Sequence, residues 1–318
     1  MNTEVGRGRD TIAPRIAVVI PCLNEALTIA QVVRDFQTQL PGATVYVFDN
    51  GSSDETVAEA HAAGAKVFTE KRRGKGFVVQ TMFQQVDAEV FVMVDGDNTY
   101  PAAQVTTLIA PVLAGQADMV VGSRITRQNR SEFRWLNRVG NLFYLHLINV
   151  IFGTRLTDIL SGYRAMNRRL VKGLPLFLTG FEVETELTIK ALQGGYRIEE
   201  RPVDLRARPE GSRSKIRILR DGWKILSTIL ALFRDYKPLA FFGGPGVILM
   251  LMGVLLGLIP IGEYLRTGLV PHFPSALLAV GMVISGMLLG MVGIILHTIN
   301  RRFQEMGYFS RLLLEQRK

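Results

Sequence analysis

Two stretches of this chain, 239–261 and 276–299, contain no Asp, Glu, Lys or Arg. Each is about 23 residues long, so as a helix it measures about 34 Å against a bilayer hydrocarbon core of about 30 Å. A charge at the centre of such a helix costs roughly 3 kcal/mol to insert, so two spans without one predict a pair of transmembrane helices. The alternative, an apolar core hairpin in a soluble protein, is seldom this long or this free of charge. These spans hold the excess that makes 48% hydrophobic content and a mean hydropathy of +0.20 too high for an ordinary soluble chain of 318 residues.

Residues 1–15 are polar and charged with no apolar run, so no signal peptide is expected to export the first domain. The segment 262–274 between the spans carries only Glu263 and Arg266, whereas Arg234 and Lys237 precede the first span and Arg301 and Arg302 follow the second. The asymmetry places both termini and the preceding domain on the cytoplasmic side of the cell (inner) membrane, in a multi-pass protein. The one cysteine, Cys22, reads as a small packed residue. A net charge of +9 could suit nucleic acid, but the cations crowd beside the bilayer, at Arg213, Lys215, Arg217, Arg220 and Lys224. Each is worth about 1 kcal/mol near an anionic leaflet, so lipid phosphate is the expected partner and nucleic acid is not.

The region from 16 to 121 alternates short β-branched runs (16–20, 44–48, 66–69, 90–94, 119–121) with helical patterns such as 28–39 and 53–63. That alternation predicts an α/β fold with a mostly parallel, doubly wound sheet, which binds ligands at the carboxyl ends of its strands. Beyond it the pattern gives a helix near 134–152, a loop over 158–164, a helix near 182–192 and a strand near 197–205. Ile216, Leu219, Trp223, Leu226, Leu230 and Phe233 then recur three and four apart with basic residues opposite, as in a helix lying along a membrane surface. The expected organisation is a polar tail (1–15), a cytosolic α/β domain (16–210), juxtamembrane amphipathic helices (211–237), a first span (238–261), a short extracytoplasmic loop (262–274), a second span (275–299) and a cytosolic basic tail (300–318).

Three strands end in candidate chemistry: Pro21-Cys22-Leu23-Asn24-Glu25, Asp49-Asn50-Gly51-Ser52-Ser53-Asp54 and Asp95-Gly96-Asp97. Two carboxylates one residue apart at a strand tip can hold a hard divalent cation with open positions, the arrangement that grips a diphosphate. Asp49 suits an N–H donor, or with Asp54 caps the next helix, for which Ser52 and Ser53 are also good N-caps. Asp54 is read as a cap and Asp49 as functional. Gly74 and Gly76 around Lys75 let backbone approach a phosphate or sugar, or form a plain exposed turn. Glu186 and Lys190 are an i,i+4 helix pair.

Val-Ile-Pro-Cys-Leu-Asn-Glu (19–25), Asp-Asn-Gly-Ser-Ser-Asp (49–54), Arg-Gly-Lys-Gly (73–76), Asp-Gly-Asp (95–97), Gly-Ser-Arg (122–124), Ser-Gly-Tyr-Arg (161–164) and Arg-Pro-Glu-Gly-Ser-Arg-Ser-Lys (208–215), in that order, resemble a family 2 inverting glycosyltransferase of GT-A (Rossmann-like) fold. More narrowly they resemble the polyprenyl-phosphate glycosyltransferases that include dolichol-phosphate mannose synthases. The resemblance implies that Pro21, Leu23 and Glu25 close around the base and ribose of a UDP- or GDP-linked sugar, that Asp49 accepts from the base, and that Lys75 and Asp95 also serve the donor. It implies Asp97 as a direct ligand of Mg²⁺ or Mn²⁺, with Asp95 contacting sugar, ribose or metal. Relatives often carry Gln two positions after the second Asp; Thr99 stands there instead, and a hydroxyl ligates more weakly or through water, with Asn98 as the other candidate. Arg124, Arg138 and Lys215 would cradle the acceptor phosphate, followed by Arg208 and then Arg164, and Glu182 and Glu184 are candidate sugar contacts. Asp95, Asp97, Arg124 and Lys215 are thus the expected catalytic set.

The implied reaction moves a hexose-type sugar to polyprenyl (undecaprenyl or dolichyl) phosphate with inversion. Its rivals are transfer to diacylglycerol, polymerisation, or a non-catalytic nucleotide-sugar sensor or scaffold. Processive synthases carry Gln-x-x-Arg-Trp, whereas Ser131 occupies the Gln position before Arg134-Trp135, and two spans make a poor pore. Glycines at 243, 244, 246, 281, 286 and 290 permit close helix approach within one chain or between copies in a homo-oligomer.

Overall fold

A computed structural model of the chain describes residues 14–124, 135–206 and 218–315, as backbone alone at 135–141, 218–221, 304 and 307–315. It divides into two units, Met1–Thr228 and Ile229–Lys318. In the first unit, β1 (Ile16–Cys22), β2 (Thr44–Asp49), β3 (Lys66–Thr69), β4 (Val90–Met93), β5 (Met119–Ser123), β6 (Arg164–Asn167) and β7 (Ile198–Pro202) form one sheet in the order β3-β2-β1-β4-β6-β5-β7. All neighbours are parallel except β6, which runs antiparallel to both β4 and β5.

Side chains alternate across the strands, and both faces are buried, as a helix-covered parallel sheet requires. Val18, Ile20, Val45 and Val47 pack with α1 (Ile29–Gln39), α2 (Thr56–Ala62) and α4 (Val105–Leu113). Ala17, Val19, Phe91, Met93 and Met119 pack on the other face with α3 (Lys75–Gln85), α6 (Arg168–Gly173) and α7 (Val183–Gln193). Between α4 and α6 comes α5 (Trp135–Phe152), and α8 (Ile218–Tyr236) follows β7. On α8, Trp223 and Leu230 of the expected apolar face are exposed, whereas Ile225, Ile229 and Leu232 are buried.

Two elements of the first unit differ from the sequence expectation. Arg164-Ala-Met-Asn, of which only Arg164 falls in the loop expected over 158–164 and for which no strand was expected, is the strand β6: it has no β-branched residue, and its pairing with Val90–Met93 and Met119–Val121 overrides its weak propensity. Helix α2 starts at Thr56 rather than 53, and neither Ser52 nor Ser53 caps it. Asp54 does reach the helix start, accepting from the Thr56 N–H at 3.1 Å, and also from the Ala26 N–H at 3.2 Å.

The second unit contains α9 (Pro238–Thr267) and α10 (Phe273–Glu315), both long and apolar enough to cross a membrane. Leu251, Leu255, Ile284 and Leu288 are 52–66% exposed, so these helices are not a buried soluble core. They pack as an antiparallel pair along small residues: a Cβ on Gly246 would stand 2.8 Å from the Gly286 carbonyl oxygen, and one on Gly253 2.8 Å from that of Ala279. Gly246 and Gly286 therefore serve packing within the chain. Both helices outrun the apolar spans, leaving only 268–272 between them, and α10 continues to Glu315 where a tail was expected.

Candidate active site

The carboxyl ends of β1, β2 and β4 lie on one edge of the sheet because the three strands are parallel. On this edge Asp49 is 3% exposed and accepts from the backbone N–H of Gly51 (2.9 Å) and Ser52 (3.1 Å). Pro21 is buried within β1, and Leu23 and Glu25 are half-buried in the loop after it. That loop is stitched to the loop after β2: the Asn24 N–H donates to Ser52 Oγ, Ser53 N–H to Asn24 Oδ1, and Glu25 N–H to Thr56 Oγ1. The first and second motifs thus form one rigid wall.

The third motif closes against it. A Cβ on Gly96 would lie 2.7 Å from Cys22 Sγ, so only glycine lets the Asp95-Gly96-Asp97 turn rest on the end of β1. Thr28 Oγ1 holds the same turn through the Gly96 carbonyl at 2.7 Å. Asp97 is buried, and its Oδ1 accepts from the Thr99 hydroxyl at 2.6 Å and the Thr99 N–H at 3.1 Å. Thr99 is therefore placed to orient Asp97. A Cβ on Gly162 would fall 2.4 Å from Asp95 Oδ2, so the glycine of Ser161-Gly162 makes room for that carboxylate.

Lys75 meets Asp95 directly, its Nζ 2.6 Å from Asp95 Oδ1 and 2.5 Å from Glu184 Oε1. Burial opposes its charge, but the two carboxylates raise its pKa above the ordinary lysine value. Gly74 and Gly76 do not form an exposed turn, since Gly74 is half-buried and Gly76 buried. Cβ atoms there would stand 2.1 Å from the Thr179 carbonyl oxygen and 2.0 Å from that of Leu178, and the Gly76 N–H donates to Thr179 at 3.0 Å. The glycines admit another segment of the chain.

At the end of β5, Arg124 pairs with Asp158 through Nε–Oδ2 (2.7 Å) and Nη2–Oδ1 (2.9 Å), and its own N–H reaches Asp158 Oδ2 at 3.1 Å. Burial works against both charges; the pairing outweighs it, raising the arginine pKa and lowering that of the aspartate. Glu200 on β7 fixes the segment bearing Asp158 by accepting from the Thr157 and Asp158 N–H groups, at 2.8 and 2.9 Å.

Arg164 is not a cradle residue. It is fully buried and donates to the carbonyls of Ser161 and Ile159 and to Thr188 Oγ1, so it braces the loop before β6. Glu186 accepts from Lys190 as expected and also from the Phe177 and Leu178 N–H groups. Glu182 accepts from the Gly180 N–H. Arg208 and Lys215 lie outside the described residues, as does the Arg138 side chain. Asp158, Glu200 and the Lys75–Glu184 contact were missed from sequence; Asp158 stood in the segment read as loop, with no local pattern to mark it.

Among the described residues no three His, Cys, Asp or Glu side chains gather into a metal site. Asp95 and Asp97 are hard oxygen donors, and a cation that keeps one or two carboxylates and takes its other ligands from phosphate and water is Mg²⁺-like. The donor set fits such an ion.

A doubly wound sheet of this order, with an Asp-Gly-Asp turn at the tip of its middle strand, is a GT-A-type fold. The model of Glycosyl transferase family 2 matches residues 17–174. Glycosyltransferase AglJ of Haloferax volcanii is 32% identical over 281 residues, 88% of this chain and 92% of that one. The chain belongs to glycosyl transferase family 2. It is also 31% identical over 193 residues to the dolichyl-phosphate hexose transferase of the same organism, covering 61% of this chain and 83% of the relative. The crystal structure of Mycobacterium tuberculosis glucosyl-3-phosphoglycerate synthase with Mn²⁺, UDP and phosphoglyceric acid superposes with a TM-score of 0.58 at 25% identity, over 70% of this chain and 79% of that one.

Proposed function

We propose that this membrane-associated glycosyltransferase moves a hexose-type sugar from a UDP- or GDP-linked donor to polyprenyl phosphate with inversion at the anomeric carbon. The observation that carries the reading is the pairing on one sheet of an acidic turn at the end of β4 with a clamped, largely buried arginine at the end of β5. The name of the dolichyl-phosphate hexose transferase relative and the two apolar helices support a lipid phosphate acceptor.

A phosphomonoester has its second pKa near 6, so the acceptor is mostly dianionic at neutral pH and already nucleophilic. No general base is required. One phosphate oxygen attacks the anomeric carbon as the bond from that carbon to the donor diphosphate breaks, and the configuration inverts. Arg124, with Arg138, Arg208 and Lys215, orients the acceptor phosphate, and such alignment can supply several kcal/mol of the barrier. Pro21, Leu23, Glu25, Asp49 and Lys75 bind the nucleotide sugar. Asp97, with Asp95 and through Thr99, would hold Mg²⁺ or Mn²⁺, which neutralises charge developing on the leaving diphosphate. The active site would then face the cytoplasm, where nucleotide sugars are made.

The test is a panel of UDP- and GDP-sugars offered to the purified protein with undecaprenyl phosphate or diacylglycerol. A lipid-linked sugar that forms only with the polyprenyl phosphate is expected. Product on diacylglycerol alone, or none on any acceptor, overturns the reading.

A further inference from the structure

The two bonds of Lys75 are not equivalent. The Glu184 side chain is 4% exposed, and its second oxygen, Oε2, is buried with no hydrogen-bond partner among the described residues. Taking Lys75 away would leave that carboxylate buried without its ion-pair partner, with only the longer-range charge of Arg164 to offset it, a destabilising change. Asp95 is 28% exposed at an open strand end, where water can replace a lost partner. When the ammonium has to give up one carboxylate, Asp95 is the one it releases.

The Asp95 carboxylate is also hemmed in. Its Oδ2 occupies the space beside Gly162 and its Oδ1 is on Lys75. An incoming cation that uses Oδ1 has to displace the ammonium or share the oxygen with it. We propose that Lys75 is a built-in cation that holds Asp95 until a divalent ion takes the carboxylate, and that Glu184 is the positioning residue that retains Lys75 during the exchange. This rests on the reading that Asp95 and Asp97 take a divalent ion together with the nucleotide. The exchange involves no covalent step: a single positive charge withdraws toward Glu184 as a double one arrives. Before it does, Lys75 offsets the repulsion between two carboxylates one residue apart, and so preserves the turn in a ready geometry.

The full-length protein in detergent, titrated with Mn²⁺ in the presence of UDP and, in parallel, GDP, with free Mn²⁺ read by electron paramagnetic resonance, tests the exchange. With UDP or GDP kept saturating, so that any loss of the donor contact assigned to Lys75 does not register, Lys75→Met should tighten Mn²⁺ binding by roughly tenfold or more, since a charge-assisted hydrogen bond no longer has to be broken. Glu184→Gln should weaken it, because the ammonium then has Asp95 as its remaining anionic partner. Simple through-space electrostatics gives the same two signs, so the Lys75→Met/Glu184→Gln double variant decides. With its net charge unchanged, it should bind Mn²⁺ as tightly as Lys75→Met if Glu184 acts through Lys75. It should resemble the wild type if charges merely add, and that result overturns the proposal. The double variant also removes the unpaired buried carboxylate, so it carries the test if Lys75→Met alone does not fold. Wild-type protein that binds no Mn²⁺ with either nucleotide overturns the metal reading and the exchange together. Wild-type binding with no tightening in either Lys75 variant overturns the exchange alone.

Discussion

Arg124 and Asp158 meet as a two-point pair, Nε to Oδ2 at 2.7 Å and Nη2 to Oδ1 at 2.9 Å, with the carboxylate side chain 0% exposed and the guanidinium 19%. Two parallel contacts fix the plane of the guanidinium as well as its place. The arginine assigned to the acceptor phosphate is thus held by a partner 34 residues away that has no recognisable motif of its own.

Asp158→Asn keeps the shape of this partner and removes its charge. Transfer to polyprenyl phosphate should fall about ten- to a hundredfold, the worth of a charge-assisted bond, while donor affinity stays within about threefold. Kinetics with the lipid varied at fixed donor, beside calorimetric donor binding, check both. A parallel loss of donor affinity would move Arg124 to the leaving diphosphate.

Asp97→Ala should abolish transfer in a folded protein, because Asp95 alone does not hold a divalent ion firmly. Transfer should likewise stop in excess EDTA and return with Mg²⁺ or Mn²⁺. Undiminished turnover in either experiment would remove the metal from the reaction.

How much of this site could be read from the sequence depended on whether partners are near in the chain. The acidic turn after 90–94 was legible because a short apolar run ending in Asp-Gly-Asp is a local pattern, and the spans were legible because hydropathy is additive along a helix. Arg164 was misread for the opposite reason. A buried arginine satisfied by three carbonyl and hydroxyl groups has the same letter as an exposed cation, and only tertiary packing separates them. Gly74 and Gly76 were recognised as points of close approach, but what approaches is the backbone of Leu178 and Thr179, about a hundred residues on. Glu184 likewise meets Lys75 through the fold alone.

Gly76→Ala tests that close approach. A methyl group 2.0 Å from the Leu178 carbonyl oxygen cannot be accommodated without moving backbone, so stability should fall by about 3 kcal/mol. Gly42→Ala, where nothing lies within 4 Å, is the control and should stay within about 0.5 kcal/mol. Thermal unfolding of the two variants measures the difference. Equal midpoints with lost activity would return Gly76 to the ligand.

Acid should weaken the protein through Glu70. Hydrogen bonds from Arg72 lead in lowering its pKa from 4.5 to about 2, burial opposes them, and Thr81 adds to the lowering. A carboxyl group with a lower pKa in the folded state binds protons more readily when unfolded. Its stabilisation is therefore complete above about pH 4.5 and is lost as pH falls toward 2. Glu70→Gln should lower the unfolding temperature at pH 7 and flatten its dependence on pH between 5 and about 2. An acid slope unchanged in the variant would assign the effect to other carboxylates.

The sidedness of the hairpin has a direct chemical test, because the only cysteine, Cys22, is 3% exposed and should label weakly. Leu269 lies in the turn between α9 and α10 and is 70% exposed, so Leu269→Cys puts a reactive thiol there. The cations at Arg234, Lys237, Arg301 and Arg302 flank the far ends of the two spans, and such residues favour the cytoplasmic side. The turn should then face outward. A membrane-impermeant maleimide should label Leu269→Cys in intact cells, and protease added to sealed inside-out vesicles should cut the catalytic unit. Labelling that appears only after the cells are opened would reverse the orientation and separate the active site from a cytosolic nucleotide sugar.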